Sequence, residues 1–194
     1  GWAFGADANK LVSRNTNSVT IEYRFDPIES VTLAASARED DNDFFGKSNT
    51  QRLEAVFQHS DSLRLRGAWG TAVKNPTFTE LYGIYWGFQS NPNLIPEQSK
   101  SWELGFDRNL LNGRLEFGAT YFDAELENEI TGFGMPQNSE GLSKRQGLEL
   151  SSAFAVNDSL TLSAAYTYTD SVDASGIDEK RRPKNMGSVN LAWQ

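Results

Sequence analysis

Two short stretches carry side chains that could do covalent or metal chemistry. His59-Ser60-Asp61-Ser62 holds the three residue types of a hydrolytic triad. A triad joins groups that the fold brings together, and four neighbours in one turn cannot reach that geometry. The stretch reads instead as a polar hairpin turn, where Asp and Ser side chains bond to their own backbone. Asp40-Asp41-Asn42-Asp43, followed by Gly46, offers oxygen ligands for calcium. The EF-hand spacing needs an acidic residue at its twelfth position, and counting from Asp41 that position is Arg52. A solvated acidic loop is the simpler reading, and no metal site is assigned.

Two further stretches suit binding. The connection over 74–99 holds Phe78, Tyr82, Tyr85, Trp86 and Phe88. Aromatics on a long loop supply large, rigid contact area at low entropic cost; equally, they can form a small core of the loop itself. Lys180-Arg181-Arg182-Pro183-Lys184 concentrates positive charge at the end of another long connection. It suits an anionic ligand or membrane phosphates, or else is a solvated rim. The candidate ligand-binding residues are therefore Tyr82, Tyr85, Trp86, Arg181 and Arg182.

The elements that must position these residues are strands. No run approaches the ~20 apolar residues of a membrane helix, whereas a barrel strand needs only ~9–11 residues with alternate ones apolar. Ten segments alternate with period two: 2–8, 18–25, 31–38, 50–58, 63–73, a strand around Trp102, one from Arg114 to Tyr121, 147–154, 160–168 and 189–193. Short connections at 26–30, 59–62, 109–113 and 156–159 alternate with long ones at 39–49, 74–99, 123–144 and 170–185. Compact soluble domains have no need of that parity. An outer-membrane barrel does, with tight periplasmic turns and long external loops.

The faces differ in kind. One carries Leu53, Phe57, Leu65, Trp69, Trp102, Phe106, Phe117 and Tyr166; the other carries Arg52, Glu54, Arg66, Glu103, Glu116 and Glu149. In a barrel the first set faces lipid and the second lines a wet lumen. Aromatics toward the strand ends suit the two membrane interfaces. Across the short turns, Glu54 and Arg66 are expected to be direct or diagonal neighbours, and Asp107 and Arg114 likewise, since opposite charges on neighbouring strands favour one register.

Composition limits the functions. Of 194 residues 38% are hydrophobic, and the net charge is −8, so the dominant basic patch that nucleic acid requires is missing. With no cysteine and one histidine, neither disulfides, thiolate chemistry nor a His-rich metal site is available. No cofactor is implied. The opening Gly1-Trp2-Ala3-Phe4 lacks the basic n-region of a signal peptide, which predicts a processed chain or an internal piece of a longer one.

The stretch 91–106, NPNLIPEQSKSWELGF, turns from a Pro-rich loop into an alternating strand. It resembles the N-P-x-L-x-P-E-x-S-x-x-x-E-x-G segment of TonB-dependent outer-membrane receptors. WGTAVKNPTFTELYG over 69–83 is similar to the approach to that loop in the same family, and Arg181-Arg182-Pro183 is similar at its place. The resemblance implies a bacterial outer-membrane receptor that imports cobalamin or a ferric siderophore. It implies a 22-stranded barrel closed by a plug and no covalent chemistry. The sequence holds no plug, no TonB box and neither the first nor the last strands. Residues 1–194 are thus expected to be about ten strands of an all-β, antiparallel, up-and-down transmembrane barrel. The expected partners are outer-membrane lipid and a nutrient chelate, with the TonB complex reached only through the missing plug. Two alternatives stand: a passive porin or adhesin-type barrel, and an outer-membrane hydrolase. The second is disfavoured because His59 falls in a predicted periplasmic turn.

Overall fold

A computed structural model describes residues 11–85, 87–132 and 134–193. Nine long strands form one antiparallel sheet: β1 (Thr16–Ile28), β2 (Val31–Asn42), β3 (Gly46–Ser60), β4 (Leu63–Lys74), β7 (Glu97–Leu110), β8 (Leu115–Glu127), β11 (Leu142–Ala155), β12 (Leu160–Val172) and β13 (Asn185–Trp193). Each pairs with the next long strand along the chain, so the sheet is an up-and-down meander without crossovers. Between β4 and β7 lie a single helical turn, α1 (Phe78–Tyr82), and the ribbon β5 (Ile84–Tyr85) with β6 (Phe88–Gln89). Between β8 and β11 lies the ribbon β9 (Ile130–Thr131) with β10 (Gln137–Asn138). The expected strand over 2–8 lies outside the described residues.

The register separates the two faces. Tyr23, Ala35, Leu53, Trp69 and Trp102 stand opposite one another across five strands. Arg24, Ala34, Glu54, Ala68 and Glu103 form the adjacent row on the other face. Side chains at odd and even positions point to opposite faces, so the eight apolar residues named above share one face and the six charged residues the other. Small residues, Ala35, Ala55, Gly67 and Ala119, are interspersed among the large ones in the apolar rows. Trp102 and Tyr121 meet with ring centroids 5.4 Å apart, and Phe106 and Phe117 at 5.9 Å. On the charged face Gly147 is required by close approach: a Cβ there would lie 2.6 Å from Cζ of Phe122.

Among the described residues no second layer covers the apolar face. Among the described residues the buried hydrophobic side chains are Leu81 and Leu94, both outside the sheet, while Ile21, Leu104 and Leu191 are 70%, 59% and 68% exposed. Burial of apolar area stabilises by ~25 cal/mol per Å², so a water-soluble fold would not leave such a face open. A β-sandwich is excluded by this arrangement, and a wall with lipid on one side is satisfied by it.

All four short turns lie at one end of the sheet. At the other end one expectation fails. The connection over 39–49 is not a long loop, because β2 runs to Asn42, β3 begins at Gly46, and the turn is 43–45. Polar strand ends pair as well as apolar ones, since the ladder is made by backbone: Glu39 stands opposite Asn49 and Asp41 opposite Lys47. Lys47 Nζ lies 2.8 Å from Glu39. The same extension shortens the connections over 123–144 and 170–185 to 128–141 and 173–184.

The predicted charge pairs also change. Glu54 and Arg66 are diagonal neighbours in the register. Glu54 pairs instead with Arg52 on its own strand, and Arg66 turns away toward β7, 3.5 Å from Asp107 and 3.9 Å from Glu103. Asp107 does not meet Arg114. It accepts from Arg64 at 2.9 Å, because β4 flanks β7 at that level, whereas Arg114 sits below the first residue of β8. Arg114 donates to the carbonyls of Ala155 and Val156 and lies 5.7 Å over the Phe154 ring.

Candidate functional site

The long connections gather at one end of the sheet, and the sequence dictates how each is held. The connection 75–96 opens with Asn75-Pro76 and then Thr77-Phe78-Thr79-Glu80, a capping box. The Thr77 hydroxyl accepts from Glu80 N at 3.2 Å, and the Glu80 carboxylate accepts from Thr77 N at 2.7 Å. The resulting turn α1 buries Leu81 and presents Phe78 and Tyr82 outward, stacked at 6.5 Å with an interplanar angle of 28°. Both remain about 40% exposed. The loop thus has a small core, but it is made of Pro76, Leu81 and Leu94, not of these two aromatics. The Tyr85 backbone pairs with Phe88 in the β5–β6 ribbon. Trp86 lies outside the described residues.

The return of this loop, the Pro-rich stretch that begins at Asn91, is stitched to the connection 128–141. Asn91 Nδ2 donates to the Pro136 carbonyl at 3.1 Å. Asn138 accepts from Ile95 N at 3.0 Å and donates back to Ile95 O at 2.9 Å. Its amide also donates to Asn128 O at 2.7 Å. Glu97, only 8% exposed, accepts from Ile130 N at 2.8 Å and pairs with Lys74 at 3.0 Å. Polar groups leaving water are stable when each has a partner, and these bonds join the two loops.

A charge cluster joins 128–141 to the last connection. Arg145 on β11 binds Glu179 through Nε at 3.1 Å and Nη2 at 2.7 Å, and also binds Glu129. Glu179 further accepts from Ser171 and pairs with Arg182. Burial pushes the Glu179 carboxyl up, but the hydrogen bonds from Arg145 and Ser171 and the charges of Arg145 and Arg182 outweigh it. The carboxyl is held below its ordinary value. Lys184 is bracketed by Asp178 at 2.9 Å and Asp170 at 3.6 Å. Its hydrogen bond to Asp178 raises it above the ordinary lysine value.

The predicted site residues are therefore divided. Tyr82 is exposed and offers a ring face. Arg182 is consumed by Glu179, while Arg181 is exposed, at φ +66°, and its side chain makes no ion pair among the described residues. Among the described residues no hydrogen bond or ion pair joins the aromatic and basic elements directly. They are connected through 128–141, which bonds to the first and meets the second at Arg145. Sequence reasoning missed Asn138, Glu129, Arg145 and Glu179. Only the i,i+3 spacing of Glu179 and Arg182 signalled any of these contacts. Among the described residues no group of three or more His, Cys, Asp or Glu could hold a metal. Asp40 is taken up by Arg38 and Ser18, and Asn42 caps the 43–45 turn through Phe44 N at 2.9 Å, so the acidic stretch is ladder and turn. His59 packs edge-on against Phe57 at 5.8 Å.

On the charged face, Arg52 and Glu54 pair, Arg66 bridges toward Glu103, Asp107 and Thr120, and Glu116 and Glu149 lie on the same face nearer β8 and β11.

Comparison with known proteins agrees with this architecture. The model of the TonB dependent receptor-like, beta-barrel family matches residues 2–194. A curated relative, the vitamin B12 transporter BtuB of Photobacterium profundum, is 31% identical over 170 residues, covering 81% of this chain and 27% of that protein. The ferric enterobactin receptor PfeA of Pseudomonas aeruginosa superposes with a TM-score of 0.80 at 21% identity, over 93% of this chain and 30% of the receptor. The siderophore receptor PirA of Pseudomonas aeruginosa gives a TM-score of 0.73 at 21% identity, over 80% of this chain and 32% of that one. The chain spans about a third or less of the length of each.

Proposed function

Since this chain belongs to the TonB-dependent receptor β-barrel family, we propose that it forms part of the barrel wall and external loops of a receptor for a scarce nutrient chelate, cobalamin or a ferric siderophore. The family places the protein in the bacterial outer membrane, and its members are transporters and receptors, not enzymes. In this reading Leu53, Phe57, Leu65, Trp69, Trp102, Phe106, Phe117 and Tyr166 face lipid. Arg52, Glu54, Arg66, Glu103, Glu116 and Glu149 line the lumen. The loops 75–96, 128–141 and 173–184 lie outside the cell and make the first contact with ligand. Tyr82, Tyr85 and Trp86 supply apolar contact area, and Arg181 an unpaired guanidinium for an anionic group. The plug, and through it the TonB complex, belong to the receptor beyond these residues. Transport is then driven by energy relayed through TonB, and no bond in the ligand is made or broken.

The observation that carries this reading is the single uncovered sheet, apolar on one face and charged on the other, with its joined loops at one end. The experiment is binding and uptake of vitamin B12 and of ferric enterobactin by cells that make the full-length receptor, with and without a working TonB complex. Saturable binding of one chelate, with uptake that stops when TonB is removed, is expected. Uptake that continues without TonB would identify a passive pore, and binding of neither chelate would overturn the assigned ligand class.

A further inference from the structure

The segment before β1 makes one set of contacts that the uptake reading does not use. Arg14 lies between two aromatic rings from different connections. Its guanidinium carbon is 5.6 Å from the Phe45 centroid, in the 43–45 turn, and 5.1 Å from the Phe78 centroid, in α1. Its Nη1 donates to the carbonyl of Pro76 at 2.8 Å, and Pro76 is fully buried. A planar guanidinium can stack on two rings and still donate in its own plane, which an ammonium cannot.

The Phe45 side of this sandwich is fixed independently of Arg14. The 43–45 turn is tied to the incoming chain by Asn15 N donating to Asp43 at 3.0 Å and Asp43 N donating to Asn15 O at 3.2 Å. Asn42, 4% exposed, caps Phe44 N and Phe45 N at 2.9 and 3.1 Å and donates to Thr16 at 2.7 Å. Phe78 continues the stack to Tyr82. The order Phe45, Arg14, Phe78, Tyr82 is thus a continuous line from a strand turn to the exposed ring of the aromatic loop. The seam at Asn91, Asn138 and Glu97 holds the other side of that loop.

We propose that Arg14 is a positioning residue: clamped between Phe45 and Phe78, it sets the aromatic surface of α1 in place before ligand arrives. A ligand surface ordered in advance avoids part of the entropic cost of binding. The proposal deepens the uptake reading and rests on it for its consequence in affinity, but the positioning itself is measurable without ligand.

The test is hydrogen exchange on the full-length receptor in lipid vesicles, comparing wild type with Arg14→Ala, Arg14→Lys, Phe45→Leu and the Arg14→Ala/Phe45→Leu double variant. The helical bonds Leu81 N to Thr77 O and Gly83 N to Thr79 O report the turn. Exchange over 77–83 is expected to rise at least tenfold in Arg14→Ala and in Arg14→Lys, with β7 and β8 unchanged. Phe45→Leu should give a similar rise, and the double variant no further one, because both act through one stack. Exchange unchanged in Arg14→Ala, full protection in Arg14→Lys, or additive effects in the double variant would each overturn the proposal. In a receptor that binds vitamin B12 or ferric enterobactin, Arg14→Ala should raise the Kd of that chelate at least fivefold, and an unaltered Kd would refute the link to binding. A receptor that binds neither chelate refutes the uptake reading instead, and the exchange result still judges the role of Arg14.

Discussion

Arg145 and Glu179 face each other in a two-point ion pair, Nε to Oε2 at 3.1 Å and Nη2 to Oε1 at 2.7 Å, although 34 residues separate them. The pair ties the last external connection to the sheet. Both side chains are largely withdrawn from solvent, at 17% and 10% exposure. Removing one partner therefore leaves a poorly solvated charge, a larger penalty than losing a surface pair. Arg145 keeps Glu129, so Glu179→Gln should cost about 1–3 kcal/mol of local stability. Because the folded Glu179 carboxyl is held below its ordinary value of 4.5, its contribution is complete above that value. It is lost as pH falls through the lowered value. Proteolysis of the 173–184 connection in the intact receptor should be slow at pH 7 and accelerate only as pH falls below 4.5. Glu179→Gln should be cut faster at pH 7 and lose that acid step. Equal cleavage of both proteins at pH 7 would count against the cluster as a latch.

Asp107 sits in the opposite energetic regime. It accepts from Arg64 at 2.9 Å and lies 3.5 Å from Arg66, but these side chains are a third to a half exposed. Opposite charges on neighbouring strands contribute only ~0.2–1 kcal/mol. A double-mutant cycle on Arg64 and Asp107, read from the denaturant dependence of barrel unfolding, should give a coupling in that range. The cycle on Glu54 and Arg66 should give nearly none, since Arg66 points toward β7 and Glu54 pairs with Arg52. A larger coupling for Glu54 and Arg66 would show that the diagonal register neighbours interact after all.

The two faces make a paired prediction. Leu104 is mid-strand on the apolar face, opposite Gly67 and Tyr121. Ala68 is on the charged face, opposite Glu54 and Glu103. An arginine at the lipid midplane costs ~2–4 kcal/mol, whereas one in a wet lumen costs little. Leu104→Arg should lower folding yield into vesicles by that margin, and Ala68→Arg should leave it near wild type, flanked by two carboxylates. The reverse ranking would invert the assignment of the faces.

The strands and their two faces were legible because alternation exposes them directly: Tyr23, Leu53, Trp69 and Trp102 announce one face at every second residue. The turn at 43–45 was not, because β2 and β3 run on through Glu39, Asp41, Lys47 and Asn49, where hydrophobicity no longer marks the ladder that the backbone still forms. Helix α1 carried its signal openly in Thr77 and Glu80, and the prolines nearby drew attention from it. The cluster at Arg145 left almost no trace, since its carboxylates come from two other connections and only the folded sheet brings them to one point. The pairing of Asp107 depended on which strand flanks β7 at that height, a fact of register and not of composition.

Contact and support are separable within the connections 75–96 and 173–184. Tyr82 and Leu81 are adjacent in α1 but face opposite ways, 40% and 2% exposed. If Tyr82, Tyr85 and Trp86 are contact hot spots, replacing all three with alanine should weaken binding of the chelate by roughly 1–4 kcal/mol. Exchange over 75–96 should stay close to wild type for Tyr82→Ala alone, because that exposed ring only ends the stack on Phe78. Leu81→Ala should do the reverse first: it empties a buried site, opens the loop to exchange, and loses affinity only as a consequence. The basic residues divide in the same way. Arg181→Ala should weaken binding of an anionic chelate without changing the 173–184 connection, whereas Arg182→Ala should loosen that connection by freeing one side of Glu179. Binding isotherms and exchange on these five variants, in the full-length receptor, decide the matter. Normal affinity in both the aromatic triple variant and Arg181→Ala would move the ligand site off these side chains.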